Sequence, residues 1–214
     1  MDKLKIAKKN GLFLIFVFGI IINFIECKKD ENNSITEFKL NTPDKIDSLE
    51  YQIYESLFQY FNIDTFLIAQ ETLISRPKVI KAVHESLSKT ELYDNLDTTI
   101  FTDFTIKNDT DFNLDKRLLK IGTKQVILLP KEEIDYYFAG KDKSKAWENY
   151  SKKYLKKYFY NFSRVGYNVD RDQAIIEFIV TSEDLDAEPT SVVNYLIFKN
   201  GKWVSVYTVI LTYD

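Results

Sequence analysis

The chain has 214 residues, a length that allows one domain with a substantial hydrophobic core. Hydrophobic residues make up 45% and charged residues 29%, as in ordinary globular proteins. The net charge of −3 provides no overall basic field for nucleic acid, so no nucleic-acid partner is expected. Six glycines form neither a P-loop nor a dinucleotide fingerprint, and one histidine and one cysteine cannot make a zinc site. We therefore expect no cofactor and no metal.

The N-terminus has the pattern of an export signal. Four lysines within the first nine residues precede an apolar run of fifteen residues, 11–25, which only Asn23 interrupts. A positively charged start, a short apolar core and a polar continuation are typical of a signal peptide. The run is short for a membrane-spanning helix, which needs about 20 apolar residues. We therefore assign residues 1–26 to a signal peptide.

Cys27, the single cysteine, follows this apolar run and Glu26. The arrangement resembles a bacterial lipobox, in which the thiol receives a diacylglyceryl group and the cysteine becomes the first residue after cleavage. Glu26 departs from the motif, which has a small residue there because the signal-peptidase pocket is small. Three interpretations stay open: a lipidated Cys27, an uncleaved N-terminal anchor, or an incidental cysteine. Lipidation is favoured, and acyl chains would hold the protein on a membrane because each buried CH₂ contributes about 0.8 kcal/mol.

Cleavage before Cys27 removes four lysines and two acidic residues, leaving 25 basic and 30 acidic residues and a net charge of −5. Residues 27–41 would be the lipidated cysteine and a polar tether, whose composition predicts disorder. Residues 42–214 would form a single α+β domain. The predicted location is exported and membrane-anchored, in the periplasm or on the cell surface.

The first half of the domain predicts two helices around one strand. The Thr42-Pro43 pair is typical of a helix start, and apolar residues then recur every three or four positions to about Phe61. Residues 64–72 predict a buried strand, and residues 77–87 predict a short helix.

The centre of the chain is less regular. Residues 96–107 fit either a strand or one face of a helix. Residues 124–129 predict a strand that ends at Pro130, which then starts a helical turn that Gly140 stops.

Residues 143–158 predict a second long helix. Trp147, Tyr150, Tyr154 and Tyr158 fall on one stripe, with lysines opposite. Aromatic residues among lysines can bind single-stranded nucleic acid or a membrane surface. The favoured interpretation is that the stripe packs on the sheet and the lysines face solvent.

The C-terminal region predicts two β-hairpins. Asn200-Gly201 suits a type I′ turn, which needs positive φ at both positions, between strands 191–199 and 202–213. Alternation places Val193, Tyr195 and Ile197 on one face before the turn, and Trp203, Tyr207, Val209 and Leu211 on one face after it. The earlier hairpin joins strands 162–167 and 173–181.

These hairpins carry a resemblance. FSRVGYNVDRDQAIIEF followed by YLIFKNGKWVSV resembles a family of small bacterial (Bacteroidota-type) secreted or lipid-anchored proteins of uncharacterised function. In that family a segment close to SRVGFN…QALVY precedes GYYVLLEKKNGKWV. The chain departs after Thr181, where an acidic SEDLDAEPT replaces a short Gly-rich connection. The resemblance covers about residues 50–214 and favours a helix for 96–107, but it implies no reaction.

Few side chains suggest catalysis or metal binding. His84 lies in the 77–87 helix without a nucleophile motif, so a packing or surface role is favoured. Asp170 and Asp172 are the acids that an exported hydrolase would use, which requires a cleft. Two acidic loops could bind Ca²⁺ or simply face solvent, since neither has EF-hand spacing. Their acids are Asp109, Asp111 and Asp115 in one loop, and Glu183, Asp184, Asp186 and Glu188 in the other.

The element order predicts an α+β fold: an antiparallel sheet, with a C-terminal meander of about four strands, covered on one face by the N-terminal and central helices. A cystatin-like sheet curved around a helix is one such arrangement. The favoured function is a non-enzymatic, lipid-anchored envelope protein that binds an unknown envelope protein or ligand, with the membrane as partner through Cys27. The alternatives are an exported hydrolase and a membrane-surface structural module.

Overall fold

The structure, a computed structural model, describes residues 37–183 and 190–211. The predicted signal peptide, Cys27 and the tether as far as residue 36 lie outside the described residues. From Phe38 onward the chain belongs to one compact unit. Asn41 pairs with Gln70: the Asn41 backbone N–H donates to Gln70 Oε1, and Gln70 Nε2 donates to the Asn41 carbonyl, both at 2.8 Å. The packed chain therefore begins ahead of residue 42.

The described residues form five α-helices, a short 3₁₀-helix at Glu91–Asn95 and a seven-stranded sheet. The helices are α1 Ser48–Phe58, α2 Pro77–Leu87, α3 Thr99–Lys107, α4 Lys131–Phe138 and α5 Lys143–Tyr154. The strands are β1 Thr65–Ala69, β2 Gln125–Leu129, β3 Tyr158–Phe162, β4 Gly166–Tyr167, β5 Gln173–Ser182, β6 Thr190–Lys199 and β7 Lys202–Leu211. Among these residues, no helix has both the length and the apolar character needed to cross a bilayer.

The sheet is mixed. Its order is β2-β1-β3-β5-β6-β7, and β4 pairs with β5 beside this path. Strand β1 runs parallel to β2 and β3, whereas the C-terminal strands pair antiparallel. The α+β prediction is confirmed, but the prediction of a wholly antiparallel sheet is wrong. The helical connections between β1, β2 and β3 are long enough for parallel crossovers, which a hairpin is not.

Helices cover both faces of the sheet, so the prediction of helices on one face is also wrong. Helix α1 lies on one face, in a core that includes Phe58, Phe66, Phe162 and Phe178. On the other face, α2 and α3 pack on β5 to β7, and α4 and α5 pack on β1 to β3. Strand β1 is buried on both faces. Its consecutive residues Phe66 and Leu67 belong to the two hydrophobic cores on opposite sides of the sheet.

Helix α1 begins later than predicted. Asp44, near the predicted start, instead bonds to the loop before β2: its backbone N–H donates to the Asn113 carbonyl at 2.9 Å, and its carboxylate accepts the Asn113 N–H at 2.7 Å. The N-cap is Asp47, whose Oδ1 accepts the Leu49 N–H at 3.0 Å. A tertiary contact thus displaces the helix start from Thr42-Pro43 to Ser48.

Other boundaries follow local backbone constraints. Helix α2 and strands β1 and β2 lie where predicted, and residues 96–107 end in helix α3. Helix α5 stops at Tyr154 because Leu155 is left-handed, with a φ of 55°, so Tyr158 belongs to β3 and not to the aromatic stripe.

The C-terminal hairpin confirms its predicted turn and corrects one face. Asn200 and Gly201 have φ values of 53° and 77°. Tyr195 pairs with Tyr207, but Leu196 pairs with Ser205, so β7 has one extra residue. This β-bulge reverses the alternation, and Trp203 enters the α1 core while Tyr207 packs on the α2–α3 side. The prediction that both share a face is wrong.

The close contact between α3 and β4 yields a stability prediction. A Cβ on Gly166 would lie 2.5 Å from Phe104 Cβ and 2.8 Å from the Ile100 carbonyl oxygen. We expect Gly166→Ala to lower the free energy of unfolding by about 2–3 kcal/mol in urea denaturation, because an overpacked core must shift backbone. Gly140→Ala is the matched control, since nothing lies within 4 Å of its added Cβ. Equal losses of unfolding free energy in both variants would contradict the close contact between α3 and β4.

Candidate ligand-binding groove

His84 takes part in packing between α2 and its neighbours. His84 packs between two aromatic rings, Tyr93 and Phe101, with Nε2 at 3.2 Å from the Tyr93 hydroxyl oxygen. This is the packing role that the sequence favours. Cys27 lies outside the described residues, so its lipidation stays a prediction.

The acidic candidates that the structure describes lie on separate loops, and Asp115 among them is buried. Asp170 and Asp172 are exposed on the β4–β5 turn, where Asp172 accepts a 2.7 Å hydrogen bond from Asn168. Asp115 binds Arg117 at 2.7 Å, which holds the pKa of that carboxyl below its usual value. In the described part of the chain, no three acids, histidines or cysteines meet as metal ligands. The acids at 184–188 lie outside it.

The aromatic stripe of α5 faces the protein interior. Trp147 and Tyr150 are buried, with ring contacts to Phe138 and Phe159. Helix α5 thus uses its stripe for packing on the sheet, as the sequence favours, and its exposed lysines lie opposite.

A groove of about 620 Å³ lies between α1 and the β6–β7 hairpin. Its size is in the range of small-molecule sites. Its apolar wall contains Leu57, Tyr60, Phe198, Trp203 and Val204. Its hydrogen-bonding groups come from Gln52, Glu55, Ser56, Gln59 and Ser205, with Lys202 at the hairpin turn. The groove therefore presents aromatic faces beside neutral donors and acceptors.

The α1 wall is fixed by a buried ion pair. Glu50 is fully buried, and its carboxylate accepts two hydrogen bonds from the Arg164 guanidinium, at 2.7 and 2.8 Å. The Val165 backbone N–H donates to the same carboxylate at 3.0 Å. Burial alone would lower the pKa of Arg164, but the hydrogen bonds and charge of Glu50 outweigh it and raise the pKa, so Arg164 keeps its positive charge. Helix α1 is thus locked to the chain between β3 and β4.

Side chains of α1 and α3 also form hydrogen bonds with the segment between β3 and β4. The Asn108 side chain, at the end of α3, accepts the Arg164 N–H at 2.6 Å and donates to the Arg164 carbonyl at 3.1 Å. The Tyr54 hydroxyl of α1 donates to the Ser163 carbonyl at 3.0 Å. Because side chains bind these backbone groups, the predicted strand 162–167 is broken into β3 and β4.

The hairpin wall depends on the bulge in β7. Trp203 is buried against Tyr167 and Phe198, with ring centroids 6.0 and 5.3 Å away. Among the described residues, the Trp203 indole N–H has no acceptor. A buried donor without a partner lowers the stability of the fold at this wall.

A second pocket, of about 380 Å³, lies between α3 and the β4–β5 turn. Lys107 and Arg171 lie over the Tyr167 ring, at 4.5 and 5.7 Å from its centroid. Both cations already have partners, because Lys107 contacts Asp103 and Arg171 contacts Asp47, each at 2.8 Å. This pocket is smaller and its charges are paired, so the groove is the stronger candidate.

No family model, curated protein or solved structure matches this chain. The groove and the N-terminal pattern are therefore the features of this chain that bear on its function.

Sequence reasoning missed the groove. Tyr60 and Phe198 lie at the ends of a predicted helix and a predicted strand, and the alternation predicts that Trp203 shares a face with Tyr207. One sequence feature pointed there: Phe198 and Trp203 flank the Asn200-Gly201 turn, which places two aromatics at one hairpin end. Tertiary packing brings this end of the hairpin against α1, and the local sequence does not predict that contact.

The buried pair yields a second stability prediction. We expect Arg164→Met to lower the free energy of unfolding by about 3–5 kcal/mol, because it leaves Glu50 buried with an uncompensated charge. Arg117→Met is the control: Arg117 also binds a carboxylate, but its side chain is largely exposed and solvent screens the pair, so the loss should be much smaller than at Arg164. Urea denaturation measures both. A loss at Arg164 no larger than at Arg117 would mean that the pair does not hold α1.

Proposed function

We propose that this protein is an exported, non-enzymatic binding protein of a bacterial cell envelope, held to a membrane by a lipid on Cys27. The lysine-rich start, the apolar run and the cysteine support this location. The likeness of residues 162–206 to small secreted or lipid-anchored bacterial proteins supports it as well.

The observation that carries the binding role is the groove between α1 and the β6–β7 hairpin. It joins exposed aromatic surface at Tyr60 and Phe198 with a row of amide and hydroxyl groups. A concave site with apolar walls and a few polar groups is typical of ligand binding. The paired or exposed acids described above give no acid–base pair there, which favours binding over hydrolysis.

The chemistry of the walls suggests an uncharged sugar as ligand. Sugar rings have apolar C–H faces, which pack on aromatic rings such as Tyr60 and Phe198. Their hydroxyls can bond to Gln52, Gln59 and Ser205. One carboxylate, Glu55, and one ammonium, Lys202, leave the lining without a dominant charge, so a strongly charged ligand fits less well.

Trp203 provides a direct binding readout. In a Trp147→Phe variant it is the remaining tryptophan, and its emission can be followed during titration with neutral oligosaccharides of glucose and N-acetylglucosamine. We expect a saturable change for at least one sugar. Tyr60→Ala with Phe198→Ala should weaken binding by about tenfold or more, which corresponds to about 1.4 kcal/mol, because both changes remove apolar surface against which the sugar face packs.

The matched control is Tyr136→Ala, which removes an exposed tyrosine of α4 outside the groove and should leave affinity unchanged. The absence of any saturable change up to millimolar sugar would contradict the proposed ligand. Equal weakening by the control would place the ligand elsewhere on the protein.

A further inference from the structure

Leu155 is an apolar residue in an unusual position. It is the C-cap of α5, with φ of 55° and ψ of 25°, and it is 84% exposed. Glycine or asparagine usually occupies a left-handed cap, since a Cβ is disfavoured there. Packing does not explain leucine at a position so open to solvent. Its neighbours in sequence are Lys152, Lys153, Lys156 and Lys157. We name these four lysines and Leu155 the basic corner.

The basic corner belongs to the most cationic part of the chain. Residues 141–157 contain seven lysines and two acids, a net charge of +5, in a chain whose net charge is −3. Glu133 and Glu183 contact Lys153 and Lys157, respectively. Adding these two acids lowers the net charge of the segment to +3. Lys152 contacts Glu148 at 2.8 Å, but both side chains are largely exposed, so this pair is weak and exchangeable. The corner itself has four lysines against these three contacting acids, Glu133, Glu148 and Glu183, so it retains a net charge of +1 on an acidic protein.

The start of the compact unit lies beside this corner. The Phe38 ring packs on Tyr136 at 5.3 Å, and Lys153 Nζ lies 5.5 Å from the Phe38 ring centroid. Everything N-terminal to Phe38, including Cys27, is thus attached to the domain next to Lys153. Ten residues lie between Cys27 and Phe38, and an extended chain over these eleven Cα–Cα steps reaches about 40 Å at most. A lipid on Cys27 would therefore limit the distance between Phe38 and the bilayer to about that reach.

We propose that the basic corner docks the domain on an anionic lipid surface. Leu155 enters the headgroup region, and the lysines around it contact lipid phosphates. An exposed apolar residue ringed by lysines is the combination that binds such interfaces. This surface differs from the aromatic stripe of α5, which is buried, and the proposal rests on the envelope location given above. The groove is lined by α1 and the β6–β7 hairpin, so docking does not use its residues.

The test uses the full chain in a Cys27→Ala background, so that one introduced cysteine carries an environment-sensitive dye. The dye is placed at Leu155→Cys or at Val169→Cys, a matched control that is 79% exposed on the β4–β5 turn. Each protein is mixed with vesicles of phosphatidylcholine alone or with phosphatidylglycerol added. Flotation measures binding, and a lipid-linked quencher measures dye insertion. We expect a blue shift and quenching at 155 only, on the anionic vesicles, that weaken with added salt.

Lys152→Glu with Lys156→Glu should remove the shift at 155, because it reverses the charge beside Leu155. If the protein floats with the vesicles but the dye gives identical spectra at positions 155 and 169, the proposed docking surface is wrong. That result would leave the proposed lipid anchor at Cys27 unaffected. Protein that does not float on anionic vesicles would overturn the docking surface as well. If separate labelling of the native chain finds no lipid on Cys27, the lipid anchor is rejected, while a shift at 155 in the Cys27→Ala background still supports the docking surface.

Discussion

The buried ion pair between Glu50 and Arg164 is the constraint on which the rest of the structure depends. It joins α1 to the short segment between β3 and β4, and Asn108 joins the end of α3 to that segment. Elements from opposite faces of the sheet are thereby fixed at one place. Two buried charges are costly unless they are fully paired, so the pair tolerates one geometry and positions α1 accordingly.

The groove follows from that positioning. Its α1 wall is held by Glu50, and its hairpin wall is formed where the bulge in β7 turns Trp203 toward α1. Two rigid elements thus hold aromatic and amide groups around a concave surface. This arrangement is typical of a preformed ligand-binding site. The basic corner lies in another part of the domain, at the end of α5 beside Phe38. Together they suggest a domain that binds a ligand in the groove while the α5 side rests near a membrane.

Local patterns predicted much of this fold but little of the site. The Asn200-Gly201 turn, α2 and strands β1, β2, β5 and β6 follow from periodicity and turn chemistry, which act within a few residues. The start of α1, the break between β3 and β4 and the face of Trp203 were mispredicted. Each is decided by partners distant in sequence: Asn113 for the helix start, Glu50 and Asn108 for the break, and the β6 register for the bulge. The groove depends on the position of α1 and on the bulge in β7, so no local sequence pattern predicts it.

Lipidation of Cys27 is the step on which the proposed location depends. Metabolic labelling with a fatty-acid analogue in a bacterial host, wild type beside Cys27→Ala and followed by membrane fractionation, tests it most directly. Lipidation predicts label on the wild type alone, in the membrane fraction. No label on either protein would contradict it, and would point to Glu26 as the reason that the lipobox does not function.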